Sequence, residues 1–337
     1  MKKQNDIIAQ DTQTFLNISN TNFLKGIFAL MVVMTHIHAR ISLFSDSFIG
    51  TLLSPLGYLA VSGFFFLSAY GLHESFLKKK DSYMKSFLFS KVLPFYCICL
   101  TLILIYTVRD VVFNFDIDLK TILMSPFWGE TVVDFGWYLQ VQMFLYLLFY
   151  FVFKYVPKYK NIVILFCVLI YVIVLYAIGM DSTWYISVIS FPMGLFVSQY
   201  KNNIGKHIGK NFLTIIIALA LCVIFVITML FGNKTWFPYP VRIAFKIISA
   251  LLFALASIIA CRIINFRFNP IEALGKRSLE IYIMQGLILK LWLWIPLNND
   301  YLYIVLCVLS ILTVSFLLHP IIGKLYNCFK TKPKLKG

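Results

Sequence analysis

The chain reads as an all-α, polytopic integral membrane protein of about ten transmembrane helices, with both termini in the cytoplasm. Three observations predict this. Of its 337 residues, 60% are hydrophobic and only 13% are charged, and the mean hydropathy is +0.84. That balance lies outside the range of soluble domains. Apolar runs of about 18 to 25 residues, each long enough to cross a bilayer, recur along the whole length. Between them, Lys and Arg crowd into alternate connections.

Taken in order, residues 1–20 are polar and are expected to form a cytoplasmic tail. The apolar run that follows is too long for a signal-peptide core and lacks a small-residue cleavage site, so it is expected to be retained. Spans are expected at 23–44, 48–72, 91–109, 136–156, 161–179, 184–200, 211–231, 241–262, 277–296 and 301–326. Only VPKYKN separates the fourth from the fifth, and a short GMDST turn separates the fifth from the sixth. Together, residues 21–328 make one membrane domain, and 329–337 a basic cytoplasmic tail. With this count, 23 of the 30 Lys and Arg fall on the side of the two tails and 7 on the other. The positive-inside rule then puts both tails in the cytoplasm. The longest polar-leaning loop, about 110–135, falls outside and is expected to lie on or dip into the outer interface; it holds Pro126, Trp128, Glu130 and Asp134.

The net charge of +16 would point a soluble protein toward nucleic acid. Here cytoplasmic loops facing anionic lipid headgroups account for it, so membrane lipids are expected partners and nucleic acid is not. The seven Cys include no CxxC pair, and no Cys/His cluster has metal-ligand spacing, so no metal site is expected.

Lys25 and His36 are the chemically informative residues. Both lie in the first span, eleven residues apart. On a helix that is about three turns, so they share a face, about 16 Å apart along the axis. With Lys25 at the cytoplasmic surface, His36 lies near the midplane. A titratable group at that depth marks a functional site by default. The plainer readings are that Lys25 snorkels to the headgroups and that His36 bonds between helices. The second span, GYLAVSGFFFLSAYGL over 57–72, alternates small residues with Phe64, Phe65 and Phe66 and suits close helix packing. The most basic segment follows it, HESFLKKKDSYMKSFLFSKVLP. Such a loop suits either the phosphates of a nucleotide-bearing donor or anionic lipid. Lys91, three residues before Pro94, is the best single phosphate candidate.

Lys25-x10-His36 followed by that second span resembles membrane-bound acyltransferase family 3, which includes bacterial polysaccharide O-acetyltransferases. Gly136-Trp137-Tyr138-Leu139 resembles its Trp-aromatic-Leu signature, and Phe191-Pro192-Met193-Gly194 its FPxFxxG-like segment. Leu274-Gly275-Lys276-Arg277-Ser278-Leu279-Glu280-Ile281-Tyr282 resembles its late LGxxS-x-x-Y motif. The matches run in family order from about 23 to 285. Departures are Leu88 in place of the first Arg of the basic-loop pattern, Ser68-Ala69-Tyr70 for Ser-Gly-Phe, Gln142 for Glu and Gln285 for His.

The resemblance implies a membrane O-acetyltransferase of the bacterial cytoplasmic membrane. It would take acetyl-CoA, or another acyl-CoA, as co-substrate with no bound cofactor, and acylate a hydroxyl of a cell-surface or lipid-linked glycan. It implies His36 as base or transient acyl carrier, with Lys25 and Lys91 on the donor phosphates. Arg242, Lys246 and Trp137 are expected near the acceptor, and Tyr282, Gln285 and Ser68 in support. Arg242 and Lys246 fit snorkelling nearly as well, and the outer Trp residues fit an interfacial belt. The alternative is a transporter or flippase of a lipid-linked sugar, with His36 as proton relay. A homodimer is compatible with either.

Overall fold

The computed structural model describes residues 16–41, 47–116, 118–127, 129–207, 212–263, 268–294 and 299–329. The described residues are 84% helical, and no strand occurs among them. The helices are α1 (Ile18–Arg40), α2 (Phe48–Leu53), α3 (Leu56–Phe87), α4 (Leu93–Val112), α5 (Leu119–Met124), α6 (Trp137–Tyr155) and α7 (Lys160–Ala177). They continue with α8 (Ser190–His207), α9 (Phe212–Gly232), α10 (Tyr239–Ile263), α11 (Asn269–Gly275), α12 (Ser278–Trp294) and α13 (Asp300–Phe329). The tails 1–15 and 330–337 lie outside the described residues, as does Trp128.

Among the described residues, five segments are long and apolar enough to cross a membrane. They are Ile18–Arg40, Phe48–Val112, Lys160–Ala177, Tyr239–Cys261 and Asp300–Lys324. Most expected spans fall on a helix within a few residues, and three local differences have physical causes. The expected second span begins as two helices, α2 and α3, because Pro55 carries no N–H and steers the residue before it out of the helical region. The expected sixth span opens as a one-turn 3₁₀ helix, Ser182–Trp184, whose N-cap Asp181 accepts from the Thr183 amide at 2.8 Å; α8 starts only at Ser190.

The third difference concerns the basic loop, which is helical. Its Leu, Lys, Glu and Met are sound helix formers, and α3 runs on through them, broken at Lys80 (φ 46°, ψ −126°). A π turn, Leu88–Val92, then leads into α4, with the Leu93 N–H donating to the Leu88 carbonyl. Pro94 explains the widening. It offers no hydrogen bond to Ser90, and its ring would strike that carbonyl in a regular α-helix; an i→i+5 turn swings the carbonyl clear.

The chain forms two compact units. The first comprises Met1–Thr35, Thr51–His73 and Val168–Ser278. In it the Phe28 ring meets Phe64 edge-on at 5.7 Å and leans on Phe253 at 5.7 Å. Gly63 lies directly against Phe28, where a Cβ would collide with the ring. Ser62 donates to the Ala250 carbonyl at 2.8 Å, and Tyr58 bonds Ser249 at 3.0 Å. The small residues of the second span thus serve close packing.

The second unit comprises His36–Gly50, Glu74–Cys167 and Leu279–Gly337. Phe87 is fully buried among Phe149, Tyr150 and Tyr146, with centroids at 5.5, 6.0 and 6.3 Å. The loop before α6 turns back along α4, so that Ser125, Pro126 and Phe127 share a cavity wall with Tyr96, Cys99 and Ile103. Irregular backbone placed against apolar helices needs internal hydrogen-bond partners. Gln140 supplies two: its Nε2 donates to the Ser125 carbonyl at 3.1 Å, and its Oε1 accepts from the Gly129 amide at 3.1 Å.

Candidate active site

His36 sits in the penultimate turn of α1, one residue before the fully buried Ile37. Its ring lies flat on Phe135, with centroids 3.5 Å apart and planes at 4°. The buried Gln285 side chain of α12 is a polar neighbour of the imidazole. Yet His36 Nδ1 and both polar atoms of the Gln285 amide are buried without a hydrogen-bond partner. An unsatisfied buried polar atom costs about 1–3 kcal/mol. Three of them fall on two neighbouring side chains, and such a concentration calls for an explanation.

Phe135 is held in an unusual backbone conformation, φ 62°. A bulky side chain in this left-handed region is strained and persists only where its surroundings over-determine it. Several contacts do so. The Tyr282 hydroxyl of α12 donates to the Phe135 carbonyl at 2.6 Å. The Gly136 amide donates to the Val133 carbonyl at 2.8 Å. Asp134 rests on α12 at Gly286, where a Cβ would come within 2.5 Å of the Asp134 Cβ; only glycine allows the approach. At the same level the Tyr106 hydroxyl donates to the Ile283 carbonyl at 2.7 Å and accepts from the Leu287 amide at 2.9 Å. Those two groups are an i, i+4 pair, so Tyr106 inserts into the α12 ladder on either side of Gln285.

Beyond Asp134 lies a buried charge cluster. Arg109, in the last turn of α4, donates from Nε to Asp110 Oδ1 and from Nη1 to Asp134 Oδ2, both at 2.7 Å. Its guanidinium also covers the Tyr106 ring at 4.6 Å. Lys290 Nζ stands 3.5 Å from Asp110 Oδ1 and 4.3 Å from the Phe115 ring centre. A cavity of about 230 Å³ opens beside these groups, with Asp116 and Asp118 also in its lining. The Thr121 hydroxyl and amide hold the exposed Asp118 carboxyl below its usual range.

The second unit therefore brings three expected residues, His36, Tyr282 and Gln285, around one turn. Trp137 begins α6 two residues after Phe135, edge-on to Tyr138 at 6.3 Å, and Tyr138 leans on Tyr282 at 4.7 Å. Lys91 lies half-buried in the π turn. Lys25, Ser68, Arg242 and Lys246 belong to the first unit. Lys25 is half-buried on α1, and Ser68 half-buried on α3. The Arg242 guanidinium stands 5.6 Å over the Tyr239 ring, with a buried Nε lacking a hydrogen-bond partner.

Sequence reasoning passed over Phe135, Tyr106 and the Arg109–Asp134 pair. One signal was present: adjacent opposite charges, Arg109-Asp110, at the end of an apolar run. Nothing in the sequence joins Arg109 to a carboxylate 25 residues on, or marks Phe135 among 33 phenylalanines.

A family model described as an acyltransferase domain matches residues 18–319. No curated protein and no solved structure matches the chain.

Proposed function

The chain belongs to acyltransferase family 3, and on that premise we propose that it moves an acetyl group from cytoplasmic acetyl-CoA to a hydroxyl of a cell-surface or lipid-linked glycan. It is a membrane acyltransferase; the donor, the acceptor and the role of His36 are our reading. The observation that carries this reading is the set of buried, unpartnered polar atoms on His36 and Gln285. Buried donors and acceptors that the protein itself leaves unbonded are suited to receive a substrate.

In this reading the chain crosses the cytoplasmic membrane of a bacterium about ten times, with both termini inside. Lys25 and Lys91 hold the CoA phosphates on the cytoplasmic side, and the thioester reaches His36. The imidazole takes the proton of the acceptor hydroxyl as its oxygen attacks the thioester carbonyl. The C–S bond breaks, and the imidazolium returns the proton to the departing CoA thiolate. An imidazole can instead attack the thioester itself, release CoA and pass the acetyl group on from an acyl-imidazole. In this reading the Gln285 amide N–H donates to the carbonyl oxygen as it gains charge. Tyr282 and Ser68 support the site, and Trp137, Arg242 and Lys246 receive the acceptor.

The test is acetyl transfer from labelled acetyl-CoA by purified protein in lipid, wild type against His36→Ala. The expected result is CoA release by wild type and its loss in a folded His36→Ala protein. Wild-type protein that consumes no acyl-CoA of any chain length, with acceptor glycan present, overturns the reading. Ping-pong against ternary-complex kinetics separates acyl carrier from base.

A further inference from the structure

We propose that Phe135 and Arg109 are positioning residues for His36. Phe135 sets the plane of the imidazole, and Arg109 holds Phe135 in place through Asp134. The inference rests on His36 as the reacting group.

A working histidine is ordinarily oriented by a hydrogen bond to its second ring nitrogen. In this site Nδ1 has no such partner. The Cβ–ring torsion of histidine is broad, so without that bond the ring is free to turn. The flat contact with Phe135, 3.5 Å between centroids and 4° between planes, is the contact that fixes it. A stack engages the face of the ring and leaves both nitrogens at its edge for chemistry, whereas an orienting hydrogen bond would occupy one.

The stack is only as firm as the turn that carries Phe135. That turn holds φ 62°, which an aromatic residue does not adopt unless forced. Tyr282 pins the carbonyl of Phe135 from α12. Arg109 pins the preceding residue: its Nη1 bonds Asp134 Oδ2 at 2.7 Å, and its Nε and Nη2 engage Asp110 at 2.7 and 2.6 Å. The fork of the guanidinium thus ties the end of α4 to the turn through two carboxylates in fixed geometry, which a lysine ammonium cannot copy. Apolar side chains of the same volume would hold α4 at least as stably as these buried charges. What they could not do is grip the residue next to Phe135 in one orientation.

The test uses the full chain in lipid and steady-state acetyl transfer, with folding followed by thermal unfolding and size-exclusion profile. Phe135→Leu keeps apolar volume and loses the flat face. We expect kcat to fall about 10- to 100-fold, with the KM for acetyl-CoA within about threefold of wild type. Phe135→Tyr keeps the face and retains wild-type kcat. Arg109→Lys lowers kcat in the same sense, and the Arg109→Lys/Phe135→Leu double variant is no slower than the slower single one, because both act on one contact.

A folded Phe135→Leu protein with wild-type kcat, beside an inactive His36→Ala, overturns the positioning role and leaves the reading of His36 intact. Losses that multiply in the double variant overturn the route through Arg109. Full activity in His36→Ala overturns both the reading and the proposal. If Arg109→Lys does not fold, the two Phe135 variants still decide the orienting contact.

Discussion

Tyr282 donates to the carbonyl of Phe135 at 2.6 Å, across 147 residues of sequence. The hydroxyl belongs to the last residue of the late Leu274–Tyr282 segment, and the carbonyl to the residue before Gly136-Trp137-Tyr138-Leu139. Two motifs with no evident connection along the chain therefore meet at one hydrogen bond. It supports the backbone of the ring stacked on His36. Tyr282→Phe removes only the hydroxyl. The freed carbonyl should cost about 1–3 kcal/mol of stability, and transfer activity should drop more than stability alone explains. Parallel melting and kinetic assays of the variant check this.

Gln285 carries two buried amide atoms without partners. Gln285→Leu removes both at similar volume. Stability should hold or rise by up to about 1–3 kcal/mol, because orphaned polar groups oppose folding. Acetyl transfer should fall about 10-fold or more as a donor to the developing oxyanion is lost. A more stable but slower protein is the expected signature; a less stable one with full activity would sink it.

Arg109 is buried between two carboxylates. Arg109→Leu leaves Asp110 and Asp134 without it, at an expected cost of about 3–5 kcal/mol. Adding Asp134→Asn should recover part of that loss by removing one stranded charge. Thermal unfolding of the single and double variants in the same detergent reads both effects.

Gly63 faces the ring of Phe28 in the first unit. Gly63→Ala should destabilise by about 1–3 kcal/mol through overpacking, and Phe28→Leu in the same chain should relieve it. A thermal melt distinguishes this from the gain that Ala normally brings to a helix interior.

The π turn before α4 exists to admit Pro94. Pro94→Ala should let the segment close to a regular helix, turning Lys91 by about 100° for the one residue removed from the bulge. With Lys91 on the donor phosphates, KM for acetyl-CoA should rise several-fold and kcat stay near wild type. An unchanged KM would separate Lys91 from the donor.

How much was legible in the sequence follows from the range of the forces involved. Helices and their bilayer-length apolar runs are local properties of composition and spacing, so the all-α membrane class and the long apolar helices could be read directly, whereas the short α5 and α11 and the helical basic loop could not. That Lys25 and His36 share one helix was legible for the same reason, since a continuous apolar run of that length reads as a single helix. The small-residue face around Ser62 and Gly63 was legible as packing. Only the tertiary structure decided what His36 touches. Phe135 was indistinguishable from other phenylalanines until a left-handed turn aimed it. That turn is fixed by partners from α4 and α12, Arg109 and Tyr282, which lie far from it in sequence. A buried ion pair or a stacked ring gains its energy from distance and angle between remote segments. Nothing in the local pattern of either segment encodes that distance.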